Sequence, residues 1–99
     1  FTISCGTLID TARVLKEHGA EKIYACVTHA LLGDKGLKAL ESSEIEELIV
    51  TDTVENQKAF EHPKVKVVSV AQLFAEAVGI IHNRDSLSQL FDNLDSCFI

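Results

Sequence analysis

Several things are scarce in this sequence. Proline occurs once and glycine five times in 99 residues, and 46% of the chain is hydrophobic and 24% charged, so no segment reads as disordered or low-complexity. Basic residues are few: nine Lys and Arg face fifteen Asp and Glu, for a net charge of −6. That excludes a sequence-independent nucleic-acid binder, which needs a basic face to meet phosphates, but leaves room for one local anion site. No apolar run reaches the roughly 20 residues that span a bilayer, so no membrane partner is expected. The first residues lack a basic start and an apolar core, so no secretory leader is expected. Cysteine appears three times, at Cys5, Cys26 and Cys97, an odd number at wide spacing. That makes neither a disulfide framework nor a zinc pattern, and free thiols fit a reducing, cytoplasmic setting.

What is present is an alternation of helix and strand. Leu8, Ala12, Val14 and Leu15 fall at helical spacing between Thr7 and Gly19, and Gly19 is a good C-terminal stop. Lys22 to Thr28 reads as a buried strand, near-continuously apolar as parallel strands are. Residues 34–42 predict a short helix with Leu37, Ala39 and Leu40 inward, and Glu46 to Thr51 a second strand. A polar connection runs from Asp52 to Pro63, and a third strand covers Val65 to Val70. Residues 71–83 form the clearest helix, with Leu73, Phe74, Ala77, Ile80 and Ile81 on one stripe.

The order loop-α-β-α-β-β-α predicts an α/β domain, a three-layer sandwich around a mainly parallel sheet. The core of so short a chain is thin, and residues 1–99 are one small domain or part of a larger one. In a βαβ unit a strand precedes the first helix, yet only six residues stand before Thr7. The sheet is expected to be incomplete, with its opening strand outside this sequence or on another chain.

The opening Ser4-Cys5-Gly6-Thr7 loop has two possible uses. A helix start leaves backbone N–H groups unpaired and carries partial positive charge. Glycine lets the backbone approach a phosphate, and the flanking hydroxyls add donors. Equally, Thr7 or Ser4 can cap the helix with nothing bound.

The segments "CGT", "LKEHGA", "YACVTH", "EELIVTDT", "SVAQLFAEA" and "IHNRDSLSQLF" occur in that order. From about Ser4 to Phe91 the chain closely resembles the C-terminal portion of ribose-phosphate pyrophosphokinases, also called phosphoribosyl-pyrophosphate synthetases. The resemblance implies a partial C-terminal domain of phosphoribosyltransferase-like fold. That family moves the β,γ-diphosphoryl group of ATP onto the 1-hydroxyl of ribose 5-phosphate, uses Mg²⁺, serves nucleotide biosynthesis and assembles as homo-oligomers. By resemblance Ser4, Cys5, Gly6 and Thr7 would cradle the 5-phosphate of ribose 5-phosphate. Ser86 and Ser88, in a Ser-x-Ser-x-Leu-Phe pattern, would serve a regulatory phosphate or ADP site between subunits. Taken alone, the same two serines make a solvated turn that packs Leu87, Leu90 and Phe91.

The departures from the family pattern are specific. The third acid of the family's ribose-phosphate loop falls on Ile3, which cannot accept hydrogen bonds from ribose hydroxyls. The two leading acids would precede Phe1. ATP would be met through segments outside this chain, and no catalytic residue or metal ligand is assigned within it. The isolated chain is therefore expected to be inactive. The alternative is a non-catalytic regulatory or associated subunit of the same family. A phosphoribosyltransferase with an amine or base acceptor fits less well, because "DSLSQLF" resembles the synthetases.

Other residues have simpler readings. His29 follows a strand, where it borders a cleft or is an ordinary hydrogen-bonded histidine. Ala30 stands where the family usually has glycine. His18, His62 and His82 make no metal spacing. Cys5 has no base placed beside it and is not a nucleophile. Glu44, Glu46 and Glu47 read as a solvated acidic edge. Leu90, Phe91, Phe98 and Ile99 are compatible with burial against a partner subunit.

Overall fold

The computed structural model describes residues 6–91. They fall into two compact units, one ending at Ser69 and the other beginning at Val70. The first holds α1 (Gly6–Glu17), β1 (Tyr24–Val27), α2 (Asp34–Glu41), β2 (Glu47–Thr51), α3 (Gln57–Phe60) and β3 (Val65–Val68). The second holds α4 (Ala71–His82) and a helical turn over residues 88–91.

Gly19 ends α1 as its position predicts. It takes φ +99°, and its N–H donates to Lys16 O at 3.1 Å while Ala20 N–H donates to Leu15 O at 3.1 Å. These two bonds form a Schellman turn, which satisfies the last carbonyls and reverses the chain toward β1.

The strands are ordered β1-β2-β3, and both pairs are parallel. Register sets Cys26 beside Ile49 and Val50 beside Val67. β2 is central, and its side chains alternate: Leu48 and Val50 are fully buried, while Glu47, Ile49 and Thr51 are half-buried. Leu37, Leu40, Ile45, Ile23, Ala12 and Ala59 join Leu48 and Val50 in the core. Each buried Leu, Ile or Val there contributes about 1.5–3 kcal/mol.

The prediction of β1 as a buried strand needs correction. Tyr24 is 56% exposed and Cys26 is exposed, while Ala25 and Val27 are half-buried. Only β2 has a hydrogen-bonded neighbour on each side, and β1 is an edge strand among the described residues. Beside β1 runs an apolar groove of about 150 Å³, lined by residues that include Leu8, Leu15, Ile23 and Ile45. The stripe on α1 also shifts: Ala12 is buried and Leu8 and Ile9 pack on the core, but Val14 and Leu15 are each 47% exposed. Of the three thiols Cys26 is free and exposed, while Cys5 and Cys97 lie outside the described residues.

The polar connection before β3 contains a helix that the sequence reading did not anticipate. In α3, Asn56 Oδ1 accepts Ala59 N–H at 3.2 Å, an N-cap for a single turn that buries Ala59. At the far side of that turn, Lys64 Nζ donates to Leu40 O at 3.2 Å and Ser43 O at 2.9 Å, so it closes the end of α2. Lys64→Met keeps the aliphatic stem and removes both bonds, and is expected to cost about 1 kcal/mol. Urea unfolding would register this, and an unchanged midpoint would show that the ammonium contributes nothing.

In the second unit α4 carries Leu73, Ala77 and Ile80 half-buried, but Phe74 is 53% and Ile81 62% exposed, so the single predicted stripe divides into two. Leu90 is buried and Phe91 is 64% exposed, while Phe98 and Ile99 lie outside the described residues. α4 ends in a second Schellman turn, with Asp85 N–H on Ile80 O at 2.9 Å and Arg84 N–H on Ile81 O at 3.1 Å. Here the left-handed position, φ 60°, is held by Arg84 instead of glycine. Arg84→Gly relieves the Cβ clash and should stabilise the chain by roughly 0.5–1 kcal/mol, read as a higher melting temperature. A lower melting temperature would mean that the Arg84 side chain holds the turn.

Candidate functional site

β1, β2 and β3 end side by side, and polar side chains gather where they stop. In open α/β sheets this end receives ligands. Thr28 and His29 follow β1, Thr51 closes β2 with Asp52 and Thr53 after it, and Ser69 follows β3.

The cluster is tied together across the strands. Thr51 Oγ1 donates to Thr28 O, and Thr53 Oγ1 lies 3.2 Å from the same carbonyl. His29 Nδ1 is 2.6 Å from Thr53 Oγ1. Ser69 Oγ donates to Asp52 Oδ2 at 2.6 Å. Beneath this, Asn56 Nδ2 donates to Ala30 O at 2.9 Å and to Leu32 O at 3.0 Å, which fixes the loop that carries His29. Position 30 is fully buried, so the alanine there fills space in the core.

The first turn of α1 belongs to the same end of the sheet. Leu8, Thr11, Ala12 and Leu15 line one groove with Ile23, Tyr24, Ala25 and Cys26, so the helix lies alongside the strand. The Schellman turn between them makes the two antiparallel. Gly6 and Thr7 therefore stand toward the C-terminal end of β1, in a first turn that contains no acidic residue. Gly6 and Thr7 are exposed, and the first turn of α1 holds no carboxylate to compete with an anion. Ser4 and Cys5, the other half of the expected cradle, lie outside the described residues.

Ser86 and Ser88 do come together. Their hydroxyls are 2.8 Å apart, and Ser88 N–H donates to Ser86 Oγ at 3.3 Å, a local turn that starts the last helical segment. Both are exposed. Two other histidines make local bonds: His18 Nδ1 sits 2.8 Å from Val14 O, and His62 Nδ1 accepts Lys64 N–H at 3.1 Å. Among the described residues no three His, Cys, Asp or Glu side chains are grouped to hold a metal, and no helix is long and apolar enough to cross a membrane. Glu44 and Glu46 are exposed and Glu47 is half-buried. The sequence reading missed Thr51, Thr53 and Asn56, although the Thr-Asp-Thr run directly after an apolar strand was a usable signal.

Comparison with known proteins adds the following. A family model described as "Phosphoribosyl synthetase-associated domain" matches residues 3–92. A ribose-phosphate pyrophosphokinase of Caldanaerobacter subterraneus subsp. tengcongensis is 44% identical over 88 residues, covering 89% of this chain and 28% of that protein. Ribose-phosphate pyrophosphokinase A of Dictyostelium discoideum is 36% identical over 91 residues, covering 91% of this chain and 29% of that protein. The crystal structure of phosphoribosylpyrophosphate synthetase from Mycobacterium smegmatis superposes with a TM-score of 0.78 at 27% identity, over 83% of this chain and 28% of that one. The chain thus spans between a quarter and a third of the length of the relatives it matches. The α/β fold with a parallel sheet, of phosphoribosyltransferase-like type, agrees with the sequence reading.

Proposed function

The chain belongs to the phosphoribosyl synthetase-associated domain family, and from that premise we propose that it is part of a ribose-phosphate pyrophosphokinase. In the complete enzyme the terminal diphosphoryl group of ATP passes to the 1-hydroxyl of ribose 5-phosphate, and AMP leaves. The single observation that supports a role in substrate binding is the acid-free first turn of α1, placed at the ligand-binding end of the parallel sheet. Gly6 and Thr7, with Ser4 and Cys5 ahead of them, would hold the 5-phosphate by backbone N–H and hydroxyl donors.

Phosphoryl transfer depends on positioning and on cations that neutralise the transferring oxygens. The Mg²⁺ that such transfer uses is proposed to find its ligands in the rest of the complete enzyme. This segment's share is to grip the acceptor, and ATP and the cation are met elsewhere. Ser86 and Ser88 are proposed for a regulatory phosphate or ADP, and a cytoplasmic homo-oligomer is the proposed assembly.

Ile3 favours a second reading, a non-catalytic subunit that associates with active chains, because a side chain without acceptors replaces an acid. Calorimetric titration of the 99-residue chain with ribose 5-phosphate tests the main reading. Saturable binding without turnover of added ATP is expected. A folded chain that takes up no ribose 5-phosphate, but changes the activity of an added complete pyrophosphokinase, would replace it with the second.

A further inference from the structure

The outer edge of β1 has an apolar helix side standing over it. α1 and α2 cover the same face of the sheet, because Ala12 of α1 and Leu37 and Leu40 of α2 share one core with Leu48 and Val50 of β2. α2 is the crossover between β1 and β2, and α1 packs beside α2. That sets α1 over the outer edge of β1, where no strand pairs among the described residues. Leu8, Thr11 and Leu15 line the groove there with Ile23 and Ala25, and its volume is about 150 Å³.

Chain geometry names what fits this groove. Crossovers between parallel strands are right-handed almost without exception. With α1 and α2 on one face, a strand that leads into α1 by the same hand falls on the outer side of β1 and runs parallel to it. The residues that lead into α1 are Phe1-Thr2-Ile3-Ser4-Cys5, and they alternate apolar and polar, the period of a strand with one covered face. Five extended residues span about 16 Å, enough to run beside the four of β1. An apolar space of about 150 Å³ takes a benzene ring, so the groove has room for the phenyl group of Phe1. We propose that the outer edge of β1 is a strand-acceptor surface, occupied by Phe1 to Ile3 in parallel, with Phe1 and Ile3 turned into the groove beneath α1. That pairing closes an edge otherwise open to other chains. It gives Ile3 a use in packing, and it stands or falls independently of ribose 5-phosphate as ligand.

NMR of the isotope-labelled, unaltered chain tests this. Nuclear Overhauser contacts are expected from Phe1 or Ile3 to Leu8, Leu15 or Ile23, and the β1 amides that point away from β2 should be protected from hydrogen exchange. In the double variant Phe1→Ser/Ile3→Ser those amides should exchange at least about tenfold faster, while the amides of β2 keep their protection. Thr2→Ala, on the opposite face of the added strand, should leave them within about twofold.

A folded chain without those contacts overturns the proposal, and so does a double variant whose outer β1 amides stay protected. Protection that grows with chain concentration, in step with a dimer seen by sedimentation, would give the edge to a second copy and overturn it as well. The contacts in the unaltered chain decide the matter whether or not the double variant folds.

Discussion

Gly6→Asp is expected to weaken ribose 5-phosphate binding by more than about tenfold and to leave the fold as stable as before, or slightly more so. Gly6 is the first residue of α1, it is exposed, and no acid stands in that turn. A carboxylate there does two opposite things. It satisfies the positive end of the helix, worth about 0.3–1 kcal/mol, and it replaces the poorest non-proline helix former. It also sets a fixed negative charge where the phosphate dianion would bind. Two like charges about 4 Å apart repel by roughly 1–4 kcal/mol near a protein surface, and a dianion doubles that, so affinity falls by more than about tenfold. Melting temperature and titration read on one sample separate the effects. A variant that melts normally and still binds would move the anion site away from α1, whereas lost binding with a lowered melting temperature would be only misfolding.

The second large effect is on stability. Asn56→Asp should destabilise the chain by about 3 kcal/mol at neutral pH, a large part of the roughly 5–15 kcal/mol that holds a small domain together. The amide of Asn56 is fully used. Its oxygen caps α3 through Ala59 N–H, and its nitrogen donates to Ala30 O and Leu32 O. Aspartate can keep the cap but turns an unprotonated oxygen toward two carbonyl oxygens, in a part-buried place where water cannot fully relieve the conflict.

The sign of its pH dependence follows. When the introduced carboxyl is protonated it can donate to one of those carbonyls, and when ionised it cannot, so folding raises its affinity for the proton. The variant therefore approaches the stability of the unaltered chain as pH falls and loses it as pH rises. Urea unfolding at several pH values measures this. A variant equal to the unaltered chain at neutral pH would show that the two carbonyls do not depend on the amide.

Elements whose signals are local were legible in the sequence. The stop at Gly19 came from the one residue type that takes positive φ freely, and the structure places φ +99° there. β2 was readable as a strand because Leu48, Ile49 and Val50 form a short apolar run, and it became the central strand with parallel neighbours. α3 was not legible, since one turn of four residues gives too little periodicity, and its only local mark is the Asn56 cap. β1 looked buried because apolar content does not say whether a strand has one neighbour or two.

The candidate site divides along the same line. The helix start near Gly6 and Thr7 was legible from residue types, which equally allowed a plain cap and an anion site; the phosphate reading came from the family resemblance. The pairing of His29 with Thr53 spans 24 residues, and that of Asn56 with Ala30 spans 26. No periodicity carries such information. By itself the sequence determined the alternation of helix and strand, the end of α1 and the chemical character of the opening turn, since each follows from backbone preference and side-chain type within a few positions. The tertiary structure alone decided which strand is interior, which distant hydroxyl His29 Nδ1 meets, and which loop Asn56 secures. Those depend on parallel pairing of β1 with β2, which sets distant strand ends within hydrogen-bonding distance of each other.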